Sequence, residues 1–538
     1  MFLAILFSLS FLLLPISSNV IPASCNEEAK GLLKWKSTFY QPNNSLHSSW
    51  TISENGGSPC NNWYGVECVA GSVNRLNLTT SNINGTLQSF PFHSLPNLEY
   101  FEISLNEFWG NIPTEIGNLS KLVYLDMSVN HFTGTIPPQI GLLTRLKTIH
   151  FFANNLRGPI PASLGNLKSL SSLQLYSNYL SGSIPTELGK LEKLTVLEID
   201  DNQFSGHLPD GICKGGALQN FRVNNNNLSG PIPRSLRDCK SLKRVRFDGN
   251  MFTGNLSESF GIYPDLQFMW LSQNQFRGEI SKNWGISKNL TNLQMAENNL
   301  TGRIPPEFRN LTQLGILNLS SNNLGGGIPA ELGSLSSLLY LYLGDNNLSG
   351  EIPKELASLK ILNVLDLSNN QFSGPIPSFI GDYQHMYELD LSHNNFSHHL
   401  PVELSKLSHL TRLDLSNNSL SGEIPPLFNS LLDLLTGHIP DTMGFKQAFL
   451  KGNRGLCGDN KDLPPCTKRP EMSYVEKKSA YERLLGRSLA WIGGLLVVIA
   501  LLWFTTRNPV NLAQNNPLVN ESIELAQAVM GMLEMTQQ

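Results

Sequence analysis

The pattern of hydrophobic and polar positions repeats along most of this 538-residue chain with a period of 24 residues. In each unit two leucine-type residues alternate with polar ones, and then come an asparagine, a glycine and an Ile-Pro pair, as in "LDLSNNQFSGPIP" at residues 365–377. This alternation predicts one short strand per unit, with residues such as Leu365 and Leu367 pointing inward. The asparagine recurs without a slip at Asn106, Asn130, Asn154, Asn178, Asn202, Asn226, Asn250, Asn274, Asn298, Asn322, Asn346, Asn370, Asn394 and Asn418.

A fixed period of this length with this spacing of leucines and asparagine is the signature of leucine-rich repeats. The predicted fold is a leucine-rich-repeat solenoid, an α/β-type superhelix with parallel strands on its concave face. Short 3-10 or helical turns and loops are expected on its convex side, with a cap at each end to cover the core. We expect each asparagine amide to turn inward and satisfy backbone groups that the bending chain leaves unpaired.

Two apolar segments lie outside the repeats. The chain begins with "MFLAILFSLSFLLLPISS", which predicts a secretory signal peptide. Residues 489–506, "LAWIGGLLVVIALLWFTT", are long enough to form one transmembrane helix. Six basic residues precede this segment from Lys468 onward and only Arg507 follows it, so the positive-inside rule alone favours the reverse orientation. We expect the signal peptide to prevail, because it commits the whole preceding region to translocation.

These features predict a single-pass protein of the plasma membrane with its N-terminal domain outside the cell.

One repeat is irregular, since only 15 residues separate Gly422 from Gly437, and the missing ones correspond to a strand and its asparagine. The sheet is expected to fray or jump there. The predicted regions are a signal peptide (1–24), an N-terminal cap (25–75), about fifteen repeats of 24 residues plus a truncated last one (76–440), a C-terminal cap (441–467), a juxtamembrane segment (468–488), the transmembrane helix (489–506) and a cytosolic tail (507–538).

Secretion permits disulfides, and the chain has seven cysteines. Close spacing favours three pairs, Cys60–Cys68, Cys213–Cys239 and Cys457–Cys466, with Cys25 left over, although spacing alone does not fix connectivity. The first and last pairs flank the repeats, where they would staple the caps. Secretion also makes Asn-x-Ser/Thr sequences potential glycosylation acceptors, among them Asn77, Asn118, Asn227, Asn289, Asn310 and Asn395.

The net charge of −4 is near balance and gives no electrostatic reason to expect a nucleic-acid partner. No nucleophile–base constellation can be read from the spacing, so no catalytic residue and no cofactor are predicted. His398 and His399 stand side by side, but no ligand set with metal spacing surrounds them, so no metal site is predicted either.

The polar positions of the strands are expected to lie on the concave face, and they predict a ligand-binding surface there. In the last three units these positions repeat Asp-Leu-Ser, whereas the middle units carry aromatic and charged side chains that are costly to expose without a reason. We expect an extended peptide to bind there, with aromatic anchors and two arginines that fork onto a ligand carboxylate. The candidate residues are His150, Phe152, Tyr176, Glu198, Asp200, Arg222, Asn224, Arg246, Asp248, Trp270 and Tyr342. The alternative is that Arg222 and Arg246 only pair with Asp200 and Asp248 as a solvated ladder of little energetic weight.

"NWYGVEC" at residues 62–68, followed by repeats with L-x-G-x-I-P, resembles the ectodomains of plant leucine-rich-repeat receptor-like kinases and receptor-like proteins. Two consecutive units replace Ile-Pro with Leu256-Ser257 and Ile280-Ser281, and "GLCG" and "LPPC" follow near residues 455–466. These features are similar to the male-discoverer-interacting group of receptor-like kinases. The resemblance covers roughly residues 25–467, and the kinase motifs of that family are absent from this sequence.

The predicted function is therefore a cell-surface receptor-like protein, not an enzyme, that senses an extracellular peptide or protein ligand. The resemblance implies signalling through a co-receptor kinase that the ligand bridges. One alternative is a truncated product or gene model of a receptor-like serine/threonine kinase, which the shortened unit and the missing kinase motifs favour. Another alternative is a binding protein that does not signal, such as a decoy or a wall-associated inhibitor.

Overall fold

Parallel strands from successive repeats form one main sheet. The computed structural model describes residues 23–40, 46–51, 58–425, 427, 450, 452–453 and 455–457. Within these residues the main sheet has 16 strands, parallel except for its first, antiparallel pair. The strands are Val66–Val69, Ser72–Asn77, Tyr100–Glu102, Tyr124–Asp126, Thr148–His150, Ser172–Gln174, Val196–Glu198, Asn220–Arg222, Arg244–Arg246, Phe268–Trp270, Asn292–Gln294, Ile316–Asn318, Tyr340–Tyr342, Val364–Asp366, Glu388–Asp390 and Arg412–Asp414.

A second set of strands follows the asparagine of each unit and forms three smaller parallel sheets in the described residues. The first contains Asn84–Gly85, Glu107–Asn111 and His131–Thr133. The second contains Arg157–Gly158, Tyr179–Ser183, Gln203–Gly206, Asn227–Pro231, Met251–Asn255, Gln275–Glu279 and Asn299–Thr301. The third contains Gly325–Gly326, Asn347–Gly350, Gln371–Pro375, Asn395–His398, Ser419–Glu423 and Gly455–Cys457.

Short helical turns close most coils and usually follow the Pro of the Ile-Pro pair, whose fixed φ suits a helix start. The 3-10 turns are Phe92–Ser94, Thr114–Asn118, Pro138–Leu142, Ala162–Asn166, Thr186–Lys190, Lys282–Ile286, Pro306–Asn310, Ala330–Ser334, Lys354–Ser358, Ser378–Asp382 and Val402–Lys406. The α-helices are Ala23–Lys36, Leu46–Ser49, Pro59–Asn62, Arg234–Arg237 and Leu256–Ser259. Leu365 and Leu367 are fully buried, so the predicted inward direction of the leucines is confirmed.

The asparagine ladder satisfies backbone groups as predicted. The Asn130 Nδ2 donates to the carbonyls of Ile103 (3.0 Å) and Ser128 (3.0 Å), and its Oδ1 accepts from the Phe108 N–H at 2.9 Å. All fourteen predicted asparagines donate in this way to their own coil and to the preceding one. Because buried amides without partners are costly, this ladder ties each coil to the coil before it.

Asn453 extends the ladder beyond Asn418, 35 residues later instead of 24 (453 − 418). Its Nδ2 donates to the Leu415 carbonyl at 2.8 Å, and its Oδ1 accepts from the Leu420 N–H at 3.1 Å. The strand Gly455–Cys457 pairs in parallel with Ser419–Glu423. In the described residues the main sheet ends at Arg412–Asp414, so the second set of strands continues where the main sheet stops.

Two of the predicted disulfides are present, Cys60–Cys68 with Cα atoms 5.3 Å apart and Cys213–Cys239 with Cα atoms 5.9 Å apart. Cys457 is also disulfide-bonded, and its predicted partner Cys466 lies outside the described residues. At the N-terminal end the helix Ala23–Lys36 buries Trp35 against the first coils, and the buried indoles of Trp50 and Trp63 stack at 5.2 Å.

The predicted signal peptide, juxtamembrane segment, transmembrane helix and cytosolic tail lie outside the described residues, apart from Ala23 and Ser24. Within the part of the chain that the structure describes, no helix combines the length and the apolar character needed to cross a membrane.

Candidate functional site

Side chains four positions before each asparagine form one column on the face of the main sheet that points away from the core, here called the outer face. Gln174 pairs in register with His150 on one side and Glu198 on the other. Arg222 pairs with Arg246, which in turn pairs with Trp270. Because parallel neighbours lie about 4.8 Å apart, residues distant in sequence meet on this column as predicted.

Two aromatic rings form a stacked pair on the outer face. Phe152 and Tyr176 have ring centroids 4.5 Å apart and planes 6° from parallel, and both side chains are half-buried. The His150 ring lies 6.1 Å from Phe152, and burial lowers the pKa of His150 although Asp126 opposes this effect. The His150 ring therefore extends the ring surface toward the N-terminal side of the pair.

Arg222 bridges this aromatic pair and a buried carboxylate. Its Nη2 donates to Asp200 Oδ2 at 2.9 Å, its Nη1 lies 4.0 Å from Glu198 Oε1, and its guanidinium carbon sits 5.5 Å from the Tyr176 ring centroid. Burial raises the pKa of Asp200, although Arg222 opposes that shift. The Asp200 carboxylate of this ion pair is thus shielded from water, whereas the Arg222 side chain keeps 29% exposure.

Arg246 pairs with the aspartate of its own coil, Asp248, which is less buried than Asp200. Its Nε and Nη2 donate to the two carboxylate oxygens of Asp248 at 3.4 and 3.2 Å. Its guanidinium carbon lies 4.1 Å from the Trp270 ring centroid, a cation–π contact. Asp248 remains partly exposed, and no described residue accepts from Nη1 of Arg246. That nitrogen can therefore reach a ligand oxygen.

Three predicted contact residues are more buried than expected. Asp200 and Asn224 are 0% and 1% exposed and Glu198 is 8% exposed, because Arg222 and the larger side chains of neighbouring coils cover them. They support the outer face from below and do not present themselves to solvent. Both arginines pair with the carboxylates that the alternative interpretation named, and of the two carboxylates Asp200 is buried while Asp248 keeps 17% exposure. In the described residues, the buried Nε1 of Trp270 and Oδ1 of Asn224 have no hydrogen-bond partner.

Tyr342 lies apart from the other candidates, three coils beyond Trp270. It stacks on Tyr340 at 6.5 Å, and burial raises its pKa to about 12. The sequence interpretation overlooked the column six positions before each asparagine, where Arg244 lies 4.5 Å from the Phe268 ring centroid. The same 24-residue period would have revealed this column, but only the two columns nearest the asparagine were considered.

The predicted glycosylation acceptors differ in accessibility. Asn77 is half-buried, and its Oδ1 accepts from the Thr79 N–H at 3.0 Å while its Nδ2 lies 3.4 Å from Glu102 Oε2. The others are exposed, namely Asn118, Asn227, Asn289, Asn310 and Asn395. Among the described residues, no group of three or more histidine, cysteine or acidic side chains is arranged to hold a metal ion.

Comparison with protein families agrees with the repeat geometry. Residues 25–69 match the leucine rich repeat N-terminal domain, and residues 73–316 match the leucine-rich repeat region. The segments 313–335, 337–359, 362–383, 385–407 and 409–431 match single leucine rich repeats. This chain is a leucine-rich-repeat protein.

The resemblance to plant receptor-like kinases is confirmed. The chain is 48% identical over 107 residues to MDIS1-interacting receptor like kinase 2 of Arabidopsis thaliana, a match that covers 20% of this chain and 10% of that protein. The chain thus matches only a tenth of this relative's length.

Solved plant receptor ectodomains share the fold. A structure of PEPR1 with AtPEP1 has a TM-score of 0.69 and 36% identity, covering 75% of this chain and 56% of that one. The plant peptide hormone receptor RGFR1 in complex with RGF2 has a TM-score of 0.64 and 32% identity, covering 74% of this chain and 65% of that one.

Proposed function

We propose that this leucine-rich-repeat protein is a cell-surface receptor that binds an extracellular peptide on its outer face and signals through a partner receptor kinase. The stacked, half-exposed pair of Phe152 and Tyr176, followed two and three coils later by Arg222 and Arg246, carries the proposal. Here the Phe152–Tyr176 pair is called the aromatic shelf. Aromatic and arginine side chains are enriched among the residues that contribute most of the binding energy at recognition surfaces. Two of the similar solved ectodomains are described as complexes with AtPEP1 and RGF2, which supports a peptide ligand here.

The binding mode follows from the spacing of the columns. A peptide that crosses the coils from His150 to Trp270 meets the aromatic shelf first and the Trp270–Arg246 pair last. Arg222 is committed to Asp200, whereas Arg246 retains Nη1 for a ligand carboxylate or carbonyl. Apolar anchorage at one end and a directional hydrogen bond at the other would set both the affinity and the orientation of the ligand.

The binding test uses the full chain in detergent and random-sequence peptides displayed on phage. We expect enrichment of peptides that lose affinity about tenfold or more on Phe152→Ala or Arg246→Ala, since a central anchor contributes at least about 1–2 kcal/mol. Leu142→Ala is the matched control, because Leu142 is a 65% exposed apolar residue in the turn Pro138–Leu142, outside the main sheet. Peptides that bind all three variants like the parent chain would contradict the proposed site.

The signalling half of the proposal has a separate test. The selected peptide is added to plant cells that express the tagged chain, and the chain is precipitated to identify associated receptor kinases. We expect association that depends on the peptide and disappears with Arg246→Ala. Peptide binding without any kinase association would instead support a decoy or inhibitor, which binds but does not signal.

A further inference from the structure

A second aromatic pair, Tyr40 and Trp109, lies exposed beside a glycosylation sequence in the first coils. Asn84-Gly85-Thr86 has the Asn-x-Thr pattern, and Asn84 begins the short strand Asn84–Gly85. The rings of Tyr40 and Trp109 approach to 5.9 Å, and these side chains are 69% and 41% exposed. The two rings lie side by side and form a small exposed apolar patch, a surface that suits a contact.

Hydrogen bonds to Trp109 and to a neighbouring carboxylate already orient the Asn84 side chain. Its Oδ1 accepts from the Trp109 Nε1–H at 3.2 Å, and its Nδ2 donates to Glu107 Oε2 at 3.0 Å. The Asn84 carbonyl accepts from the Tyr40 N–H at 2.8 Å, which brings the two aromatic residues to the same edge. A glycosylated amide keeps its oxygen and one N–H, so both side-chain hydrogen bonds survive the modification.

We propose that Asn84 carries an N-linked glycan whose first sugars pack against Trp109 and Tyr40. In the transfer, Nδ2 bonds to the anomeric carbon of N-acetylglucosamine on a lipid-linked oligosaccharide, and the bond from that carbon to the pyrophosphate breaks. The pyrophosphate leaves with the electron pair, and Nδ2 loses one proton to a base of the cell's transferase. The apolar face of the sugar then covers the aromatic rings, while the sugar hydroxyls remain in water.

The same geometry distinguishes Asn84 from other sequences of this type. Asn77 is half-buried, as Asn84 is, but its Oδ1 accepts from the Thr79 N–H just beyond its own strand and not from an aromatic side chain. Asn318, in Asn-Leu-Ser, accepts hydrogen bonds from both the N–H and the hydroxyl of its own Ser320, at 3.1 and 2.8 Å. Asn118 is exposed, and its Nδ2 lies 3.4 Å from the imidazole Nε2 of His93 instead of at the edge of a Trp or Tyr side chain. We therefore expect a glycan packed on aromatic rings at Asn84 and a glycan without such packing at Asn118.

This inference rests on the extracellular placement in the proposed function, because the transfer occurs only in the secretory pathway. The test expresses the full chain in plant cells and measures occupancy of each acceptor by glycopeptide mass spectrometry. Thr86→Ala abolishes the Asn84 sequence, whereas Thr86→Ser preserves it and serves as the control. A glycan at Asn118 together with an unglycosylated Asn84 would contradict this inference but would leave the extracellular placement intact. A chain without any glycan would overturn the extracellular placement as well.

Seating of the glycan is tested by enzymatic deglycosylation of the folded protein. We expect the glycan at Asn84 to be released several-fold more slowly than the glycan at Asn118, because packing on the rings must open before the enzyme reaches the amide. Trp109→Ala leaves the acceptor sequence intact and should remove the difference. Equal release rates at the two sites in the parent chain would overturn the packing.

Discussion

Equivalent residues in different coils behave differently according to what covers them. Asp200 and Asp248 both lie two positions before an asparagine of the ladder, and both pair with an arginine. Asp200 is fully buried under Arg222, whereas the Asp248 side chain retains 17% exposure beside Arg246. The Arg222–Asp200 pair therefore mainly stabilises the fold, whereas the Arg246–Asp248 pair can contact a ligand. Arg222→Ala should therefore mainly change stability, whereas Arg246→Ala should mainly change ligand binding.

Arg222→Ala is expected to destabilise the middle coils by about 1–3 kcal/mol, because Asp200 loses both its charge-assisted hydrogen bond and the side chain that covers it. Asp200→Asn combined with Arg222→Ala should recover much of this loss. Arg246→Ala should cost only about 0–1 kcal/mol, since water can solvate Asp248. Denaturant unfolding with hydrogen exchange over residues 196–224 measures these effects. Similar losses for the two single arginine variants would contradict the difference in burial.

At the scale of elements, the asparagine ladder determines how coils are joined. Each ladder amide spans two coils, so its loss weakens one junction more than the whole solenoid, in which each coil contacts mainly its neighbours. Asn453 performs this role for the last described strand, Gly455–Cys457, although its coil does not follow the 24-residue period. The C-terminal end of the array therefore depends on one amide that lies outside the regular repeats.

Asn453→Ala is expected to release that end, because the Leu420 N–H and the Leu415 carbonyl are left buried without partners at about 1–3 kcal/mol each. Hydrogen exchange should accelerate at residues 415–423 and remain unchanged before residue 390. Asn130→Ala in the middle of the array is the matched comparison, with acceleration confined to residues 103–132. Uniform acceleration along the chain in either variant would contradict local coupling between coils.

For the molecule as a whole, buried carboxyl groups couple stability to pH. Burial is the largest cause that raises the pKa of each of Glu28, Asp200, Glu388 and Asp390 above the ordinary values of 4.5 for Glu and 3.8 for Asp. Glu28 is 1% exposed and accepts from the Val73 N–H at 3.1 Å within the N-terminal region. These groups lie at both ends and in the middle of the array, so the effect is distributed along it.

The sign of the dependence follows from proton uptake. A carboxyl group with a raised folded-state pKa stabilises the fold fully below its unfolded pKa, and this contribution is lost as pH rises through the folded value. We therefore expect the thermal midpoint to fall as pH rises from just above 4.5 toward neutrality. Glu28→Gln should flatten this dependence, since the amide does not ionise. A midpoint that rises over the same interval would contradict the prediction.

The sequence by itself determined the regular features. The strand positions, the inward leucines, the ladder from Asn106 to Asn418 and the neighbouring placement of Arg222 and Arg246 all follow from one period. Each coil packs on its neighbour in the same way, so that a local pattern suffices to place residues that are far apart in the chain. The two described disulfides could also be anticipated, because their cysteines are close in sequence or in neighbouring coils.

Only the tertiary structure decided which polar positions are buried and where the array's irregular end is joined. Alternation assigns Asp200 and Asp248 to one face alike, but their exposure depends on the sizes of side chains one coil away. Likewise the role of Asn453 depends on how the chain returns to the ladder, which no period describes. The physical reason is the same in both cases: burial is set by neighbours in space, and the repeat fixes the neighbours' backbone but not their side chains.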